Sequence, residues 1–213
     1  MILKNILTIL FNYRTSLFKI FFFELIYLLK GYKGNRFRFL NQDPYREVDD
    51  LNAAEDIPCP YYFLFKIKNT LANNDFKKFL DLGCGSGRII DFFNKNFLHK
   101  EYIGIEYFHN QYKYCEKIFE KDKNVKIIKA DFTKINFLQY NADCYFFNNP
   151  FNNDIIFIDL MKEIINFNKE KNILFIFINY NWKIIESIKN IHCIESYYIN
   201  DIKGYAIYCL KNK

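Results

Sequence analysis

The residues best suited to chemistry lie in a glycine-rich segment, residues 79–88, which reads Phe-Leu-Asp-Leu-Gly-Cys-Gly-Ser-Gly-Arg. An apolar run precedes three glycines at every second position, and Ile89, Ile90 and Phe92 follow. This order predicts a buried strand, a tight loop and the first turns of a helix. Glycine allows positive φ and close approach of a ligand to the backbone, and a helix N-terminus offers free N–H groups. We therefore expect a nucleotide-like molecule on this loop.

The spacing of the glycines indicates which class of nucleotide-like cofactor the loop binds. The dinucleotide fingerprint G-x-G-x-x-G would need glycine where this chain has Arg88. The pattern is instead acidic-x-G-x-G-x-G, and it resembles motif I of the class I S-adenosylmethionine-dependent methyltransferases, a Rossmann-like family. The resemblance implies S-adenosylmethionine (SAM) as the cofactor, with Asp81 anchoring its methionyl amino end directly or through water. The implied contacts on this loop are Asp81, Gly83, Cys84, Gly85 and Gly87.

A second family-like segment is the apolar run 102–105, which ends in Glu106 and Tyr107. A carboxylate at the tip of a strand can accept hydrogen bonds from both ribose hydroxyls. In the resembling family this residue binds the cofactor ribose, and the resemblance places Tyr107 beside it. The alternative for Glu106 is an ordinary helix-capping carboxylate.

A third segment, residues 125–130, alternates apolar residues as a strand does and ends before Asp131 and Phe132. In the family, the acid at this position accepts from the adenine amino group, and the neighbouring side chain packs on the ring. Asp131 could also be the N-cap of a short helix, and both roles could hold at once.

A fourth segment is a fully apolar strand that ends in Asn148-Asn149-Pro150-Phe151. It resembles motif IV of the amino methyltransferases, with Asn149 replacing a proline, and also resembles motifs of non-SET histone lysine methyltransferases and of bacterial class I enzymes of unassigned substrate. Asn148 can accept from a substrate N–H, and Phe151 can wall the acceptor pocket and face a cation. The implied catalytic residues are Asn148, Pro150 and Phe151. A plain turn that ends a strand is the alternative.

These matches imply direct methyl transfer to an unidentified acceptor, with nitrogen of a protein lysine or small amine favoured and oxygen of a small molecule, sugar or lipid as the alternative. Proximity and exclusion of water suffice for such a transfer. Two further function classes stay open: a nucleotide-dependent oxidoreductase, disfavoured by Arg88, and a non-catalytic SAM-binding or scaffolding protein.

Composition favours one packed domain, because the 213 residues are 51% hydrophobic and 20% aromatic. The net charge of +6 is spread without a dense basic cluster, which argues against a nucleic-acid partner. The six cysteines show no metal-ligand spacing, so we expect no metal and reduced thiols in the cytoplasm.

The segment 1–30 is strongly apolar but carries charges such as Lys4, Arg14 and Glu24, so we expect an amphipathic helix and no transmembrane span. A narrow polar stripe runs along it. The helix could pack on the catalytic domain, lie on a membrane surface or form a dimer contact. The oligomeric state stays open.

Alternating strand and helix patterns predict an α/β fold: a Rossmann-like, mostly parallel seven-stranded sheet with one antiparallel strand and helices on both faces. We expect residues 1–60 to form the N-terminal helix and an irregular connector, and residues 61–213 to form the SAM-binding domain. The resemblance covers about residues 61–210.

Overall fold

The computed structural model describes residues 17–32, 58–136, 139–148, 153–200 and 203–210. Thirteen helices and strands follow one another in these ranges. They are α1 (Leu17–Leu29), α2 (Tyr61–Leu71), β1 (Lys78–Leu82), α3 (Arg88–Asn96), β2 (Glu101–Glu106), α4 (His109–Phe119), β3 (Val125–Lys129), β4 (Cys144–Asn148), α5 (Asp154–Phe167), β5 (Ile173–Ile178), α6 (Trp182–Ser187), β6 (Ile191–Asn200) and β7 (Lys203–Leu210).

The seven strands form one sheet in the order β3-β2-β1-β4-β5-β7-β6. The pairs from β3 to β5 are parallel, and β7 runs antiparallel to both of its neighbours. Strands β4 and β5 lie in the middle with their apolar residues buried, as expected for parallel strands covered on both faces. The predicted fold class is therefore confirmed.

Two hydrophobic layers cover the sheet. Because successive side chains of a strand point to opposite faces, Phe79 joins the layer that contains α2 and α3, and Leu80 joins the layer that contains α5. The order of the strands reverses between β1 and β4: β2 and β3 extend the sheet on one side, and β4 and β5 on the other. Open α/β sheets bind ligands at this switch point, beyond the carboxyl ends of the strands.

The glycine loop shortens the helix that follows it. The sequence predicts a helix over 86–98, whereas α3 begins at Arg88 and ends at Asn96. Gly87 has φ +75 and caps the helix from the left-handed region, so Ser86 stays in the loop. At the other end Phe97 leaves helical geometry with φ −127.

Helix α1 packs on α2 and α3 through an aromatic cluster. The ring of Tyr27 stacks on Tyr61 with centroids 4.8 Å apart, and it meets the edge of Phe92 at 5.3 Å. Ile20, Glu24 and Tyr27 are the buried residues that α1 contributes to this contact. Within the described ranges, every helix is too short or too polar to cross a lipid bilayer.

Candidate active site

The glycine loop connects β1 to α3 through three residues with positive φ. Gly83, Gly85 and Gly87 have φ of +82, +53 and +75, a region that other residues rarely adopt. The N–H groups of Gly83 and Cys84 both donate to the carbonyl of Ile105, at 2.9 and 3.0 Å. The loop is thereby fixed to the end of the neighbouring strand β2.

Gly87 also packs so closely against α4 that a larger residue would not fit. A Cβ at this position would lie 2.6 Å from Phe119 and 2.7 Å from the sulfur of Cys115. Gly83 differs, because its Cβ would be in ordinary contact with Phe132 at 3.8 Å. The loop at Gly83 thus adjoins Phe132, which follows β3, so two of the predicted cofactor segments lie side by side.

The side chain of Cys84 points away from the loop surface. Its sulfur lies 4.0 Å from that of Cys115, and both thiols are free and buried. The hydrogen bond with Cys115, followed by burial, raises the pKa of the Cys84 thiol. Cys84 therefore offers a ligand its backbone only.

Glu106 ends β2 and holds the glycine loop. Its Oε2 accepts from the N–H of Gly85 at 2.8 Å, and its Oε1 accepts from the N–H of Phe108 at the same distance. The residue is 4% exposed. A carboxylate can accept about four hydrogen bonds, and ribose hydroxyls are donors of the kind that it binds. Tyr107, in contrast, is 44% exposed.

Asp81 lies inside the sheet on β1, fully buried. Neither of its carboxylate oxygens has a hydrogen-bond partner among the described residues. Burial raises the pKa of Asp81 well above its ordinary value, and the nearby Glu106 carboxylate raises it further. A buried carboxylate without a partner is costly, and a cationic or hydrogen-bond-donating ligand group would relieve that cost.

Asp131 is partly exposed and forms a turn. Its Oδ1 accepts from the N–H and the hydroxyl of Thr133 at 3.0 and 2.6 Å, and its Oδ2 lies 2.9 Å from Nζ of Lys134. Burial alone would raise the pKa of Asp131, but these hydrogen bonds lower it overall. The structure thus has a local side-chain turn here and no helix that Asp131 would cap.

Asn148 is the last residue of β4 and pairs with Ile178 of β5. Its neighbour Phe147 is aligned with Leu82 at the end of β1, so Asn148 lies across the switch point from the glycine loop. Pro150 and Phe151, the other two predicted catalytic residues, and Asn149 lie outside the described residues.

Two pairs of interacting side chains near the site could not be predicted from the sequence pattern. The first is Glu24 with Arg88, the residue after the glycine loop. The second joins the segments that follow β4 and β5: the hydroxyl of Tyr180 donates to Oδ1 of Asp154 at 3.2 Å. Burial, followed by Asp154, raises the pKa of Tyr180. In the sequence, Glu24 appears only as a charge within an apolar segment, and Tyr180 belongs to none of the four family-like segments.

A cavity of about 480 Å³ lies at the other end of the strands. Residues on its wall include Asp75, before β1, and Ile173, the first residue of β5. This is the amino-terminal edge of the parallel strands, so the cavity is separate from the glycine loop.

A family model described as a methyltransferase domain matches residues 79–171, the span from β1 to the end of the α5 region. Over this segment the chain is similar to methyltransferase domains. The protein is accordingly an enzyme that carries out methyl transfer. No curated protein matches the chain.

Solved structures share the fold at low sequence identity. A SAM-dependent methyltransferase from Aquifex aeolicus is 16% identical with a TM-score of 0.51, and the match covers 68% of this chain and 89% of that one. The N,N-8-amino-8-demethyl-D-riboflavin dimethyltransferase of Streptomyces davawensis is 12% identical with a TM-score of 0.54, covering 71% and 54%. Mitomycin 7-O-methyltransferase is 12% identical with a TM-score of 0.52, covering 70% and 53%. The match thus spans about half the length of the last two proteins.

Proposed function

We propose that this methyltransferase transfers the methyl group of SAM directly to a nitrogen atom, that of a protein lysine or a small amine. The observation that carries the proposal is the position of Asn148 at the end of β4, across the switch point from the glycine loop. The side-chain amide oxygen of asparagine accepts a hydrogen bond from an N–H. A neutral amine held this way presents its lone pair to the methyl group, and an ammonium group must first lose its proton to water.

The cofactor contacts that we propose agree with the geometry of the loop. Asp81 provides a buried carboxylate without a partner among the described residues, which suits the ammonium group of the methionyl end. Glu106 fixes Gly85 through its carboxylate and is the proposed acceptor for the ribose hydroxyls. Asp131 and Phe132, next to Gly83, are the proposed adenine contacts.

In this mechanism the chain aligns donor and acceptor and excludes water. The sulfonium of SAM supplies an electrophilic methyl group, so no covalent enzyme intermediate is needed. The loop residues place the cofactor, and Asn148 orients the nitrogen at the adjacent strand end. Pro150 and Phe151 are proposed to close the acceptor pocket.

The first experiment is calorimetric titration of the full chain with SAM and, separately, with NAD. We expect binding of SAM alone. Transfer is then measured with SAM that carries a radiolabelled methyl group, using polylysine and small primary amines as acceptors, each before and after acetylation of the amines. Incorporation that acetylation abolishes supports nitrogen as the acceptor.

Two results contradict the proposal in different ways. Label that enters hydroxyl compounds and is unaffected by amine acetylation makes the enzyme an O-methyltransferase. Binding of SAM without transfer to any acceptor, in wild type and in Asn148→Ala alike, favours a SAM-binding or scaffolding protein. If Asn148 orients the acceptor, Asn148→Ala lowers kcat and leaves the Kd for SAM unchanged.

A further inference from the structure

Helix α1 presents a row of large apolar side chains to solvent. Phe18, Phe21, Phe22, Leu25 and Leu29 are 81%, 40%, 51%, 39% and 79% exposed. Their spacing of three, four and seven residues places them on one side of the helix. We call these five residues the phenylalanine face. Contiguous apolar surface of this kind is uncommon on soluble monomers and marks a contact with a partner or a membrane.

The phenylalanine face is not the side by which α1 packs on the domain. That side consists of Ile20, Glu24 and Tyr27, which are buried. The carboxylate of Glu24 pairs with Arg88 and also accepts from the N–H of Tyr61 at 2.8 Å. Because α1 is anchored through this opposite side, the phenylalanine face remains directed outward.

Within the described parts of α1 and α2, the exposed charged side chains are all positive. On α1 and the residue after it, Lys19 and Lys30 are exposed, whereas the one acid, Glu24, is buried and paired. The adjoining helix α2 carries Lys66 and Lys68 and no acid. We call these lysines the lysine rim. One of them contacts an aromatic ring, since Nζ of Lys30 lies 4.9 Å from the centre of the Tyr27 ring.

We propose that the phenylalanine face binds the surface of a lipid bilayer that contains anionic lipids. An interfacial helix of this type inserts aromatic and leucine side chains at the boundary of the acyl chains, while lysines contact the phosphates. At 13 residues α1 is about 20 Å long. This length allows the described part of α1 to lie along the interface of a bilayer.

The charge pattern favours lipid over a second copy of the chain. If two phenylalanine faces packed together, their lysine rims would approach each other with no exposed acid on α1 or α2 to neutralise them. An anionic surface provides the complementary charge, because it attracts lysines close to the membrane. This proposal is independent of the methyl acceptor.

The test is co-sedimentation of the full chain with vesicles of phosphatidylcholine, with and without phosphatidylglycerol. We expect pelleting with the anionic vesicles and at least tenfold weaker partitioning for Phe18→Ser/Phe22→Ser. The matched control is Leu98→Ser/Ile194→Ser, which replaces two exposed apolar residues elsewhere and is expected to pellet like wild type. Calorimetric SAM binding equal to that of wild type verifies that each variant is folded.

Charge reversal separates the contribution of the lysines to membrane binding from that of the phenylalanine face. Lys19→Glu/Lys66→Glu is expected to abolish the preference for anionic vesicles, and Lys162→Glu, an exposed lysine on α5, is the control. The proposal is overturned if wild type binds neutral and anionic vesicles equally or pellets with neither. It is also overturned if Phe18→Ser/Phe22→Ser pellets normally, or if sedimentation velocity shows a dimer that this variant converts to a monomer without any vesicle binding.

Discussion

The Glu24 carboxylate lies 2.6 Å from Nη2 of Arg88, and both side chains are only 7% exposed. The guanidinium of Arg88 also stacks over the ring of Tyr61 at 3.8 Å. Arg88 directly follows the last glycine of the loop, so helix α1 is tied to the start of α3 at the candidate cofactor site. The N-terminal helix therefore supports the geometry of the site.

Removing one partner of this pair leaves a buried charge alone. We expect Glu24→Ala to lower the free energy of unfolding by about 3–5 kcal/mol, because the Arg88 guanidinium would stay buried. Denaturation in urea, followed by circular dichroism, measures this loss. The control is Asp159→Ala, which breaks an exposed pair with Lys162 and should cost less than about 1 kcal/mol. Equal effects of the two substitutions would show that Arg88 finds another partner.

The glycines of the loop differ in how much a methyl group would disturb them. Gly83→Ala meets strain from positive φ alone, about 1–2 kcal/mol. Gly87→Ala has the same strain and in addition drives its Cβ into Phe119 and Cys115, which adds about 1–3 kcal/mol. We expect the midpoint of thermal unfolding to fall further for Gly87→Ala. The reverse order would mean that α4 moves aside at little cost.

We expect Asp81 to make the stability of the folded chain depend on pH. Because its pKa is raised in the folded chain, the native state keeps this proton longer than the unfolded state does. Its contribution to stability therefore falls as pH rises from the ordinary pKa, near 4, through the raised value. Asp81→Asn removes this titration, and we expect it to be more stable than wild type above that range in urea unfolding at several pH values.

The binding of SAM should be linked to loss of the proton from the Asp81 carboxyl group. A ligand ammonium favours the ionised carboxylate, so SAM affinity is expected to increase with pH through the raised pKa, with release of a proton on binding. Calorimetry in buffers of different ionisation enthalpy measures that release. A Kd that is independent of pH in wild type, or an Asp81→Asn variant that binds as tightly, would remove Asp81 from the site.

Glu106 links the loop to the proposed ribose position. We expect Glu106→Ala to weaken SAM binding by about 1–3 kcal/mol, because ribose hydroxyls and the N–H of Gly85 lose a buried acceptor. Titration calorimetry measures the difference. Glu101→Ala, at the opposite end of β2 and exposed, is the control and should bind normally. Unchanged affinity in Glu106→Ala would place the ribose elsewhere.

Local patterns were enough to predict the sheet and the positions of the four segments at its carboxyl edge. The apolar run of β5 and the glycine loop contain their own signals, because burial on both faces and positive φ restrict which residues can occupy them. At α3 the predicted helix is two residues too long at each end, because Gly87 delays the start of the helix and Phe97 leaves helical geometry.

The contacts between distant segments could not be predicted from a single sequence. Glu24 and Arg88 are separated by 64 positions, and nothing in either segment specifies the other. In the sequence, Arg88 is informative only because it stands where the dinucleotide fingerprint needs a glycine. In the structure it is a buried cation that pairs with a carboxylate and stacks on an aromatic ring. Asp131 shows a related ambiguity, since its turn with Thr133 uses Oδ1 of the carboxylate that the family resemblance assigns to adenine.

The position of β7 between β5 and β6 has a consequence for synthesis of the chain. All six residues of β5 are apolar and buried, and β7 supplies its pairing partner on one side, from Ile173 with Leu210 to Ile178 with Tyr205. Until residues 203–210 leave the ribosome, that edge of β5 has no native strand to pair with. Unpaired apolar edges promote aggregation, so nascent chains that stall before β7 should depend on chaperones far more than the completed protein does.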